Sequence, residues 1–171
     1  MDALTNLMTR RACHAFKSDP VSDFDIDRIL AAGTFAPSGM GMQSPIILAV
    51  TDPELRTRMS RTNAEIMGTA SDPFYNAPVI LVVLADKSVP TYIYDGSVVL
   101  ENMMLAAHAL GLGSCWIHRA KETFERPEWK EFLKEHGIEG EYEGIGNCAI
   151  GYPAVPPAAP RPRKDHYIYR F

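Results

Sequence analysis

Two groups of cationic side chains, far apart in the chain, pose the first chemical question. Arg10 and Arg11 lie near the start, and Arg161, Arg163 and Lys164 near the end. A guanidinium offers forked donors that match phosphate oxygens, so two such groups can converge on one dianion. Arg10 and Arg11 also suit a simpler role, since cations at a helix C-terminus complement its dipole. The loop Pro37-Ser38-Gly39-Met40-Gly41-Met42-Gln43 is the most unusual stretch. Its glycines let backbone approach a ligand, and its methionines offer soft apolar surface, which together suit a flat apolar molecule. An ordinary flexible connection would have a similar composition.

Other short patterns fail on context. Gly39-x-Gly41 and Gly111-x-Gly113 invite a dinucleotide-fold reading, but that fingerprint follows a strand and opens a helix. Gly111-Leu112-Gly113 follows a helical pattern and opens a strand. Gly113-Ser114-Cys115-Trp116 overlaps a papain-type signature, whose His and Asn lie roughly 130–150 residues downstream. Only 56 residues follow Cys115 here (171 − 115). Cys115-x-x-His118 lacks a second ligand pair, and a strand directs the two side chains to opposite faces, so no metal is expected.

These residues must be held by one domain spanning 1–171, since the length suits a single core. Hydrophobic and charged fractions of 46% and 22% are those of an ordinary globular chain. A net charge of −4 provides no general field for nucleic acid. The run Pro78 to Ala85 is far shorter than the roughly 20 residues of a membrane span. The start lacks a basic, then apolar, leader, and three unpaired cysteines suit a reducing compartment, so a cytoplasmic location is expected.

The patterning predicts a helix capped by Asp2 through Thr9 and another from the Ser22 capping box to Gly33. A strand over Ile46–Val50 precedes a helix opened by Asp52-Pro53-Glu54. Val79–Leu84 reads as a strand covered on both faces. Thr91–Leu110 reads as a helix apolar nearly all round, hence buried from every side, in part by a second subunit. In this scheme His108 is a satisfied core residue. Ser114–Ile117, Pro127–His136 and Ile145–Gly151 follow as strand, helix and strand. The five prolines from Pro153 to Pro162 impose an extended path, and Tyr167, Tyr169 and Phe171 favour docking over disorder.

In this order, several segments resemble the nitroreductase family over essentially the whole chain. They are Arg10-Arg11-Ala12-Cys13-His14-Ala15-Phe16, then Ala36-Pro37-Ser38-Gly39-x-x-x-Gln43, and then Asn76-Ala77-Pro78. Leu110-Gly111-Leu112-Gly113-Ser114-Cys115-Trp116-Ile117 and Gly151-Tyr152-Pro153 complete the set. The resemblance implies an α+β fold with a central, mostly antiparallel sheet flanked by helices. It also implies a homodimer exchanging extended arms over 153–171, with one FMN at each subunit interface. Arg10, Arg11, Arg161 and Arg163 would hold the phosphate, with Ala12 and His14 beside them. Pro37, Ser38, Gly39, Met40 and Gln43 would reach the flavin of the other subunit. Trp116, Ile117 and His118 would flank its N5, one backbone N–H donating to it. NADH or NADPH would reduce the flavin, which then passes electrons to a small acceptor by a ping-pong scheme, the chemistry carried by FMN and not by a side chain.

The departures from the family pattern are informative. Ala12 stands where the motif has serine, His14 where it has a basic residue, and Gly41 where it has asparagine. Ser44-Pro45 replace Pro-Trp, and His118-Arg119 replace small residues. Nitroaromatics are therefore one acceptor class. A quinone, enone or free-flavin reductase of the same fold is the alternative, and a non-catalytic flavin-binding dimer is the rival from another class.

Overall fold

The computed structural model describes all residues, Met1–Phe171. Its centre is a four-stranded antiparallel sheet of β1 (Pro45–Val50), β2 (Val79–Asp86), β3 (Gly113–Ile117) and β4 (Tyr142–Gly151), in the order β1-β2-β4-β3. β2 lies in the middle, and its side chains alternate between two cores, as the period of a strand requires. Ile80, Val82 and Leu84 face one core with Phe74 and Trp129, while Val79, Leu81 and Val83 face the other with Leu100 and Met103. Every residue from Val79 to Ala85 is buried, which explains the continuous apolar run.

Helices cover both faces. α1 (Ala3–Thr9) starts at Asp2, whose carboxylate accepts from the Thr5 N–H. α2 (Asp23–Thr34) is capped in the same way by Ser22, and α3 (Pro53–Met67) by Asp52 with proline in its first turn. α4 (Tyr92–Ala109) packs under the sheet, followed by α5 (Ala120–Glu125) and α6 (Pro127–Glu135).

α4 buries Val99, Leu100, Met103, Met104 and Ala107 within the chain and leaves Ile93, Tyr94 and Val98 exposed, the part expected to be covered by a second subunit. Two expectations change. α5 carries too few residues for a readable period and was missed between β3 and α6. β4 begins at Tyr142, three residues earlier than Ile145, because a bulge interrupts its pairing: Val83 faces Gly146 and Leu84 faces Gly144. The extra residue, Ile145, presses against α4 at Gly96.

Residues 11–16 add to the sheet edge. Ala12 bridges Ser114 in parallel, with the Cys13 N–H donating to the Ser114 carbonyl at 2.9 Å. The C-terminal arm leaves β4 beside this segment, where the Ala154 N–H donates to Ala15 O at 2.9 Å. Beyond Pro153 the arm is exposed throughout.

Candidate active site

The edge segment sorts its own side chains. Cys13 and Phe16 point into the core, while Ala12 and His14 are exposed on the other side. The His14 ring packs at 4.9 Å from the Tyr75 ring. Tyr75 and Asn76 both sit at positive φ, 55° and 60°, a strained arrangement for non-glycine residues. Asp72 pins this turn by accepting from the Phe74 N–H at 2.9 Å, the Asn76 N–H at 2.8 Å, Ser60 and Arg56. Burial opposes the charge on Asp72, but these donors outweigh it and leave its pKa lowered.

The two arginine groups meet. Arg10, Arg11 and Ala12 line one side of a surface cleft, and Arg161 and Arg163 line the other from the arm. Arg11 also fulfils the simpler role foreseen for it, since its Nη1 donates to the Met8 and Arg10 carbonyls at the end of α1. Its buried Nε has no partner. Arg10 has one distant anionic neighbour, Glu101 at 3.9 Å, and Arg161 and Arg163 have none. Positive charge therefore remains for an outside anion.

His108 is a correction. It is half-buried and lines a cavity shared with Arg11, Ala12 and His14, so it borders this site and is not a core residue. Its Nε2 lies 2.9 Å from Thr9 Oγ1. Burial first, then Arg10 and Arg11, lower its pKa, which favours the neutral ring.

Trp116 and Ile117 lie on β3 and His118 just past its end, with His118 exposed. Here sequence reasoning missed two residues. Asn147 Nδ2 donates to both the Ile117 and the His118 carbonyls at 3.2 Å, and Asn63 Nδ2 donates to the His118 carbonyl at 2.9 Å. Both asparagines are 1% exposed. Nothing in the sequence separates them from surface polar residues, because their partners lie 29 to 55 positions away.

The Pro37–Gln43 loop stands apart. Pro37, Ser38 and Gln43 line a different cavity, between α2, β1 and α4, that contains none of the arginines. Gly39–Gly41 form a short 3-10 turn with Met40 at φ 53°, and the Met40 and Met42 side chains are exposed. Gly39 is required by its own chain, since a Cβ there would overlap Thr91. Asp95, another residue missed in sequence, anchors the loop: it accepts from the Gly39 N–H at 2.9 Å, Ser44 Oγ at 2.7 Å and Thr91 Oγ1 at 3.0 Å.

These features agree with what the chain resembles. The model of the nitroreductase family matches residues 7–152. The chain belongs to that family. A protein of Archaeoglobus fulgidus, provisionally named NADH dehydrogenase/NAD(P)H nitroreductase, is 30% identical over 97% of this chain and 90% of its own length. A nitroreductase of Bacteroides fragilis, solved with bound FMN, superposes with a TM-score of 0.86 over the whole of both chains at 27% identity. An FMN-dependent nitroreductase of Clostridium difficile gives 0.80 at 28% identity, with 98% of each chain covered. The fold and family of this nitroreductase homologue are thereby fixed, and its sheet has the antiparallel, helix-flanked form expected.

Proposed function

We propose that the protein is an FMN-dependent oxidoreductase that passes electrons from NADH or NADPH to a small electrophile, and that it works as a homodimer. The observation carrying this reading is the meeting of Arg10 and Arg11 with Arg161 and Arg163 at one cleft, beside the edge segment that carries Ala12 and His14. The unpartnered Arg11 Nε and the unpaired arm arginines fit a phosphate monoester. Ala12, lacking a hydroxyl, leaves backbone and guanidinium groups as the donors there. Bound FMN would supply hydride acceptance from the nicotinamide and electron donation to the acceptor.

The chain's own residues would hold, orient and shield that cofactor. The arginines fix the phosphate, and the end of β3, clamped by Asn63 and Asn147, presents its backbone to the ring. His14, on the exposed face, lines the cavity beside it. That cavity is about 280 Å³, just below the roughly 300–1,000 Å³ of small-molecule sites. Pro37, Ser38 and Gln43 line a different cavity, and Met40 and Met42 beside them are exposed, so a second copy completing the site accounts for both observations. The acceptor is a nitroaromatic or a similar small electrophile.

The experiment is direct. Purified protein should be yellow or take up FMN, but not FAD, and the flavin absorption should bleach with NADH or NADPH under argon. Adding a nitroaromatic or quinone should then sustain nicotinamide oxidation. A colourless protein that refuses FMN overturns the reading, and a bleachable flavin with no turnover on either acceptor leaves a binding protein.

A further inference from the structure

Two consecutive backbone amides at the end of β3 are unused. Neither the His118 N–H nor the Arg119 N–H meets a protein acceptor. In a planar trans peptide the carbonyl and the N–H point in opposite directions. The Ile117 carbonyl shares its peptide with the His118 N–H, and the His118 carbonyl shares its peptide with the Arg119 N–H. Both carbonyls are gripped from the core side, by Asn147 and by Asn63. Holding the carbonyls inward aims both amides outward, on the side where His118 is exposed.

Arg119 sharpens this geometry. It occupies the left-handed region, φ 78° and ψ 14°, although it is not glycine. Successive amides around such a residue form a concavity that receives an electron-rich atom. The strain persists because the neighbouring peptides are over-determined. The two asparagines have an incomplete set of bonds themselves: the Oδ1 of each is buried without a partner. Residues that leave acceptors unmet in a core, yet direct their donors at two adjacent carbonyls, fit a role in orientation better than one in stability.

We propose that Asn63 and Asn147 are positioning residues, which aim the His118 and Arg119 amides at the acceptor edge of the cofactor's redox centre. The inference rests on the FMN reading above. Neither side chain touches the cofactor; each acts through one peptide or two. A donor fixed before reaction stabilises charge that develops at that edge without reorganising, so small rotations of these peptides matter.

The test compares wild type with Asn63→Ala and Asn147→Ser, each reconstituted with FMN. In wild type the amide proton resonances of His118 and Arg119 should move downfield when FMN is added to apoprotein. In the variants this movement should shrink. kcat should fall roughly 10- to 100-fold, as expected of misplacement outside the reacting shell, with KM for the nicotinamide donor changed by less than about threefold. If Asn147→Ser does not fold, Asn63→Ala decides alone, because its amide reaches only the His118 carbonyl. Variants that bind FMN, show the wild-type resonance shifts and keep kcat within about twofold overturn the inference and leave the FMN reading intact. A wild type that binds no FMN overturns both.

Discussion

At the residue scale, Asp95 is a carboxylate in the dry face of α4 on which three donors from Gly39, Ser44 and Thr91 converge. Burial alone would raise its pKa, but the donors prevail and the value is lowered. Its contribution to stability is therefore complete above the pKa of an unfolded Asp, about 3.9, and is lost as pH falls through the lower folded value. Asp95→Asn keeps the shape but must turn an amide donor toward other donors. It should cost about 1–3 kcal/mol at neutral pH, and acid unfolding curves should lose the part of the slope below about pH 4 that wild type shows. A second prediction concerns the guanidiniums: Arg10→Ala and Arg163→Ala should each weaken FMN binding roughly tenfold or more, measured by flavin fluorescence titration. The arginines were legible in the sequence because paired guanidiniums near both ends suggest a shared anion. Asp95, Asn63 and Asn147 were not, because a buried polar residue is recognised by its partners, and partners are a property of the fold.

The elements were legible where a local signal defines them. Caps at Asp2, Ser22 and Asp52 gave the helix starts to within a residue, and the run of β2 gave a doubly covered strand. What escaped was set by packing between elements. The bulge in β4 exists because Gly144 lies against the backbone of Ala120 at the start of α5, while Ile145 fills the space at Gly96. A side chain at Gly144 would overlap main-chain atoms, which cannot rotate away. Gly144→Ala should therefore destabilise by about 3 kcal/mol, the upper end of overpacking costs, read by chemical denaturation. Gly39→Ala faces the Thr91 side chain instead. Its cost should be partly relieved in a double variant with Thr91→Ala, which removes Oγ1, the atom nearest the added Cβ, since contacting residues are not additive. Equal losses for the single and the double variant would show that the clash is not with Thr91.

Across the whole molecule, the question is what covers the apolar surface that one chain leaves open. α1 buries no residue of its own, and Leu4, Leu7 and Met8 are exposed on it. Tyr94 and Val98 lie one turn apart on the outer face of α4, so they share a stripe, and Met40 and Met42 add to the exposed apolar area. Contiguous exposed apolar patches are a general signature of interfaces, and the proposed dimer would cover this one. In a two-fold dimer the same patch serves both copies, so any substitution in it enters the interface twice. Tyr94→Glu combined with Val98→Glu would place four carboxylates in a region that association must dry, a large electrostatic cost. Neither residue contributes to the buried core of the single chain, so folded secondary structure should survive. The double variant should sediment as a monomer, and wild type should sediment as a dimer at micromolar concentration. If the site is completed by the partner, the same variant should also lose most of its affinity for FMN, and wild-type flavin should dissociate more readily on dilution, because a ligand that binds only the dimer is linked to its assembly. Circular dichroism keeps the interpretation clean by showing that the monomer is folded. A wild-type monomer that retains stoichiometric flavin at micromolar concentration would refute the dimeric site, however tightly FMN is bound.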